Sequence, residues 1–407
     1  MPKSESATLT SASRCRIPFE RALATVIRDA APSVTEWVAL ADAGGRRLVG
    51  AVHARIDSPR RDAAAMDGFA ISESIAEDHA RRWTVVDPHA SPARPLGPGE
   101  AMRIATGAPL PRAAHAVLPI EHATVVGSEL TVQGDPGTRS HVRRRGSDFM
   151  RGDVTLPAGR TIDPRALVAI AAADVATVKV WRKPRVAIIV RGAGQVAPGE
   201  AATTETETPD GLGEALLLFA GNWGAVPLNT RRVGDAPAAM SEAVRAIIGV
   251  ADVVVLVGGA AHGARDTTQR ALVSLGLELG FDGLAIRPGR PSWYGRIAGA
   301  HVLGLPGNPT AAMTVARLLL APLLLRLGGG DAQDALAWAP MPLAAPAAAA
   351  GARESFLCAT VTADGIHLLD RQSVSGQLML AAADRLVARP ANGAALAAGA
   401  IVPTLEF

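Results

Sequence analysis

Between about residues 183 and 328 the chain alternates solidly apolar runs with amphipathic ones, and this pattern constrains its fold more than any other feature. RVAIIV (185–190) and DVVVLV (252–257) carry apolar side chains at almost every position, as strands covered on both faces do. Between them PAAMSEAVRAII (237–248) has helical spacing, and Asp266 with Thr267 and Thr268 offers a helix start before QRALVSLG. HVLGL (301–305) reads as a strand ending in PGNP, followed by a long apolar helix from about Thr310 to Leu327. The prediction is an α/β unit with a parallel sheet between helical layers, which places ligands at the carboxyl ends of its strands.

The flanking segments read differently. From Pro18 to about Asp29 the apolar residues Phe19, Ala22, Leu23, Val26 and Ile27 keep the spacing of an amphipathic helix. From about 50 to 145 short apolar runs alternate with Pro and Gly, the punctuation of an inserted, mostly β domain. PRALVAIAAADV (164–175) is helical, with its Pro suited to a first turn. Residues 329–353 are rich in Gly, Ala and Pro and read as a linker before a small β domain built from FLCATVT, GIHLL, RLVARP and IVPTLEF. The division expected for 407 residues is 17–50 with 145–180 as an N-terminal, linker-type domain, 51–144 as the β insertion, 181–328 as the α/β domain, and 335–407 as the C-terminal β domain.

Several function classes fall away on composition. Lys plus Arg exceed Asp plus Glu by 41 to 38, so bulk charge gives no support for nucleic-acid binding. Cys15 and Cys358 stand far apart with no C-x-x-C spacing, against a disulfide framework or a thiolate metal site and in favour of a reducing compartment. The polar start MPKSESATLTSASRCR lacks the apolar core of a signal peptide, and LLLAPLLL (318–325) is too short to cross a bilayer, so a cytoplasmic chain without a membrane span is expected. The histidines show no metal-ligand spacing. Gly192-Ala193-Gly194-Gln195-Val196-Ala197 satisfies a G-x-G-x-x-A fingerprint, but Pro198-Gly199 and TTETETPD (203–210) interrupt the helix that a dinucleotide site needs directly afterwards.

More specific are AAAMDGFA (63–70), RIATGAPLP (103–111), RRRGSD (143–148) with GDVTLPAG (152–159), ADVVVLVGG (251–259), IRPGRP (286–291), GLPGNPTAA (304–312) and SGQL (375–378). In order and spacing they resemble the motifs of the MoeA-type molybdopterin molybdenumtransferases and the corresponding domain of gephyrin, from about Pro18 to the C-terminus. That resemblance implies a three-layer α/β molybdopterin-binding domain. It also implies insertion of molybdate into adenylylated molybdopterin with release of AMP, a need for Mg2+, and an elongated homodimer whose clefts combine the α/β domain of one subunit with the β insertion of the other. Molybdoenzymes or other proteins of cofactor biosynthesis are the partners it suggests.

Carried over residue by residue, the resemblance makes Asp67, Asp235 and Asp266 catalytic candidates, the last two also metal ligands. Thr106, Gly107, Glu121, Asp148, Gly258, Gly259, Arg287, Arg290, Pro291, Pro306, Gly307 and Asn308 become candidates for holding the pterin, its phosphates or molybdate. In Arg287-Pro288-Gly289-Arg290-Pro291 arginines stand where the family has lysines, keeping the charge but presenting a forked set of donors. Trp293-Tyr294 suits either a pterin face or the core.

Other positions depart from the pattern. Where the family reads S-T-G-D-E-L this chain has Val190, Arg191, Gly192, Ala193, Gly194 and Gln195, with both acids gone. The next loop, Gly258 to Asp266, loses the hydroxyl and the first Asp of the family pattern while keeping the last, and His262 and Arg265 bring in basic groups. An Asn near the next helix has become Gly211, and a Ser after PGNP has become Ala311. Each lost carboxylate removes an oxygen donor for a hard cation. Three functions therefore follow from the resemblance: a transferase, a cofactor carrier or chaperone with impaired catalysis, and a gephyrin-like scaffold.

Overall fold

The computed structural model describes residues 16–32, 34–72, 82–87, 95–135, 137–258, 264–373 and 375–407. It divides into two compact units: the segment ending at Glu36 together with Trp181–Phe407, and Trp37–Val180. The N-terminal tail lies outside the described residues.

The first unit opens with helix α1 (Phe19–Arg28). It then builds a six-stranded sheet from β1 (Arg185–Arg191), β2 (Val226–Val233), β3 (Val253–Val257), β4 (Glu278–Asp282), β5 (Trp293–Ile297) and β6 (Ala300–Leu305). The order is β2-β1-β3-β6-β5-β4, parallel through β6 and antiparallel at β5 and β4. Helix α2 (Gly213–Asn222) leads from β1 to β2, and α3 (Pro237–Ile247) leads from β2 to β3. Because β2 and β3 flank β1 on opposite sides, the strand order reverses at β1, and the crevice beside its carboxyl end is the natural ligand position.

Burial alternates along these strands and produces three layers. Val186, Ile188 and Val190 of β1, with Val253, Val255 and Val257 of β3, face a core shared with α1, with Leu216 and Phe219 of α2, and with residues 312–324. Ala187, Ile189, Val254 and Leu256 face the other side, against Met240, Ala243 and Val244 of α3 and Leu272. Helix α1 therefore belongs to the core of this unit, a different grouping from the sequence division of 17–50 with 145–180. Trp293 and Tyr294 are also core residues, and the Tyr294 hydroxyl sits 2.7 Å from His301 Nδ1.

After β6 the long helix α4 (Pro309–Leu327) is apolar enough to cross a membrane, yet it is the buried helix of this core. Pro322 sits within it, and residues Ala316–Leu320 widen to π geometry just before, relieving the clash of the proline ring with the preceding turn.

A second sheet of this unit runs Ile286–Arg287, Glu354–Thr362, Arg385–Arg389, Ile401–Glu406, Ala339–Pro342. Residues 329–353 are accordingly not a free linker. Ala332, Ala335, Leu336, Leu343 and Ala347 are buried, and Ala339–Pro342 is an edge strand of that sheet. Small side chains without periodicity are compatible with a core where neighbouring backbones approach closely.

The unit Trp37–Val180 carries the β insertion, a six-stranded sheet ordered Ala116–Pro119, Gly68–Ile71, Glu100–Ile104, Arg82–Val86, Glu129–Val132, Ala123–Val126. Its core is Phe69, Ile71, Trp83, Leu118 and Leu130. A separate cluster of Leu48, Val52, Ile162, Ile170, Val178 and Val180 packs beneath the helix Pro164–Ala172, which Asp163 caps through the Ala166 N–H at 2.8 Å.

Candidate functional site

At the carboxyl ends of β1, β3 and β6 the backbone is drawn tightly together. Gly258 has φ +87°, and a Cβ placed there would lie 2.5 Å from the Arg191 carbonyl, so only glycine lets β3 close against β1. A Cβ on Gly307 would touch Gly258 at 3.5 Å, which brings the PGNP turn to the same place. Helix α4 starts there with Pro309 in its first turn and Asn308 at its cap, but the Asn308 side chain makes no cap bond. Its Oδ1 instead accepts from Ser375 Oγ at 3.2 Å, while Thr310 Oγ1 reaches the Gly376 carbonyl. The first-turn N–H groups of α4 thus keep no side-chain acceptor from the cap and present a positive helix end at the strand tips.

Beside them Arg191 ends β1 with its side chain almost fully buried. Its Nη1 donates to Thr268 Oγ1 at 2.7 Å and its Nη2 to the Asp235 carbonyl at 2.7 Å, and its Nε lies 3.4 Å from Asp235 Oδ1. The other carboxylate oxygen of Asp235 accepts the Ala193 N–H at 3.2 Å. Asp235, a residue singled out from sequence as a metal ligand, is therefore the partner of a guanidinium. Gly259 and the Asp266 side chain lie outside the described residues. The RPGRP turn packs Gly289, with φ +112°, against Val315 of α4. Arg287 is exposed, Arg290 and Pro291 are half-buried, and neither guanidinium has a hydrogen-bond or ion-pair partner among the described residues.

In the other unit the MDG and TGAP segments meet. Asp67 Oδ1 accepts both the Thr106 backbone N–H and the Thr106 hydroxyl, each at 2.7 Å. The Thr106 N–H first, and its hydroxyl second, hold the Asp67 carboxyl below its ordinary value. Gly68 follows because a Cβ there would lie 2.0 Å from the Leu118 carbonyl. Gly107, at φ +81°, donates to the Ala64 carbonyl. The Asp67 carbonyl accepts from Ile120, which places Glu121, exposed, one residue further along. Asp148 is apart from this turn, its N–H on the Ser58 carbonyl. Arg144 and Arg145 are engaged by Asp62 and Asp57 at 2.6 and 2.5 Å, so of the RRR run only Arg143 is without an acidic partner among the described residues.

Comparison with known proteins converges on one group. A family profile described as MoeA N-terminal region (domain I and II) matches residues 17–173, and one described as probable molybdopterin binding domain matches 196–326. "Molybdopterin molybdenumtransferase 2" of Mycobacterium tuberculosis is 31% identical over 327 residues, covering 75% of this chain and 77% of the relative. The chain belongs to the MoeA family. A molybdopterin molybdenumtransferase of Haemophilus influenzae is 30% identical over 73% of this chain and 74% of its own length. The solved molybdopterin biosynthesis MoeA protein of Pyrococcus horikosii superposes with TM-score 0.77 at 29% identity, covering 97% of this chain and 99% of that one. The second profile begins just after the Arg191–Gln195 segment, where this MoeA chain departs most from the family sequence.

The divalent cation implied by the MoeA family does not fit the described residues. No group of three His, Cys, Asp or Glu side chains among them is placed to hold a metal, and Asp235, though 61% exposed, has its Oδ1 3.4 Å from the Arg191 Nε. The sequence shows Arg191 at the Thr position of the S-T-G-D-E-L segment but gives no sign of its contacts with Thr268 and Asp235. The partner residues are 77 and 44 positions away, and no local pattern announces them.

Proposed function

We propose that this chain is a molybdopterin molybdenumtransferase, inserting molybdate into adenylylated molybdopterin and releasing AMP. The observation that carries the reading is the junction of Gly258, the PGNP turn and the uncapped start of α4 at the sheet's switch point, in a chain of this family. Such a junction suits a large anion: glycines admit its phosphates to the backbone, and helix N–H groups donate to them. Arg287 and Arg290, whose guanidiniums have no partner among the described residues, supply donors for an oxyanion. Asp67, ionised at neutral pH and fixed by Thr106, orients or accepts a proton from the ligand. We further propose a cytoplasmic homodimer, on the strength of the family resemblance.

One observation favours a second reading. The pairing of Asp235 with Arg191 leaves this acid unlike a metal ligand, which suits a carrier that binds molybdopterin without transferring molybdate. Titrating the purified chain with molybdopterin and its adenylylated form, while following binding and AMP release, separates the two. Molybdate-dependent AMP release is expected of the transferase. Tight binding with no release overturns it in favour of the carrier.

A further inference from the structure

We infer that Arg191 is the built-in counter-cation of this cleft, and that the anionic ligand is captured there without a divalent ion. The guanidinium is anchored by hydrogen bonds to Thr268 Oγ1 and the Asp235 carbonyl, its Nε lies 3.4 Å from the Asp235 carboxylate without a hydrogen bond to it, and its side chain is only 6% exposed. It is a fixed charge at the end of a central strand. A magnesium ion bound to Asp235 Oδ1 at the usual distance of about 2.1 Å would lie within about 5.5 Å of Arg191 Nε. At that separation two like charges repel, and the guanidinium is itself buried and fixed in place. The second Asp235 oxygen is already engaged by the Ala193 N–H. Positions 193 and 194 are Ala and Gly, so the loop that follows Arg191 brings no carboxylate to outweigh the guanidinium. Among the described residues Asp235 thus already lies beside an internal cation, and Arg191 acts as a positioning residue that disfavours a second cation on that acid before any ligand arrives.

The choice of probe rests on the proposed function, which makes the ligand an adenylylated pterin; the claim about the cation does not. Two titrations of the full wild-type chain test it: Mn2+ as a paramagnetic stand-in followed by EPR, and AMP by calorimetry in EDTA and in excess magnesium. The expected results are no saturable Mn2+ site and AMP affinities that agree within about twofold. A stoichiometric Mn2+ site lost in Asp235→Asn, or AMP binding at least about tenfold tighter with magnesium, overturns the inference. The double variant Arg191→Thr, Ala193→Asp should gain Mn2+ binding, whereas Arg191→Lys should behave as wild type. If these variants fail to fold, the wild-type titrations decide alone. If AMP binds under no condition, the pterin-nucleotide reading fails, and the manganese titration still decides the role of Arg191.

Discussion

Asp67 and Asp235 are both acids placed by sequence in the site, one in each unit, and their surroundings give them opposite characters. Asp67 is hydrogen-bonded by uncharged donors, the N–H and hydroxyl of Thr106, which hold its carboxyl low, with Arg103 adding a smaller Coulombic pull. Asp235 lies beside a buried guanidinium, its Oδ1 3.4 Å from the Arg191 Nε. Retaining an acid in a family motif therefore says little about its work until its partners are known.

The comparison breaks most severely at the glycine that carries Asp67. Gly68→Ala forces a Cβ into the Leu118 carbonyl, and overpacking against backbone should cost about 3 kcal/mol in denaturant unfolding. Gly107→Ala, with open space around its Cβ, should cost less, from its positive φ alone. A Gly68→Ala chain as stable as wild type would show that the turn holding Asp67 is loose.

Acidity separates the two units next. His301 is pushed down to about 4, by burial first and by Arg296 second, and its Nδ1 lies against the Tyr294 hydroxyl. A histidine lowered on folding contributes stability that is complete above its ordinary value of 6.5 and lost as pH falls toward 4. The α/β unit should therefore lose about 3 kcal/mol across that window, and His301→Gln should flatten the profile. Asp67 behaves differently: its carboxyl titrates below its ordinary 3.8, so its bond to Thr106 should survive the same window. A Thr106 amide resonance that shifts between pH 6.5 and 4 would contradict this.

On activity, Asp67→Asn should lower AMP release about 100-fold, as loss of a positioned proton acceptor does. Asp235→Asn should lower it less than about fivefold, because that acid is largely exposed and already lies beside Arg191. Equal losses would erase the distinction.

Much of the α/β architecture was legible because strands covered on both faces leave unbroken apolar runs: RVAIIV falls within β1 and HVLGL within β6. The stretch 329–353 was not legible, since its burial depends on strands far along the chain and leaves no period in a run of Ala and Pro. In the site, Asp67 and Thr106 were each readable from their motifs, but the bond between them spans 39 residues and belongs to the fold. The same holds for Arg191, whose substitution was visible and whose partners were not.

The most direct test is molybdate-dependent AMP release from adenylylated molybdopterin by the purified chain in excess EDTA. Release at a rate close to that in magnesium is the predicted result. Failure to release AMP in EDTA, whether or not magnesium restores it, would contradict a transferase whose cleft carries its own cation.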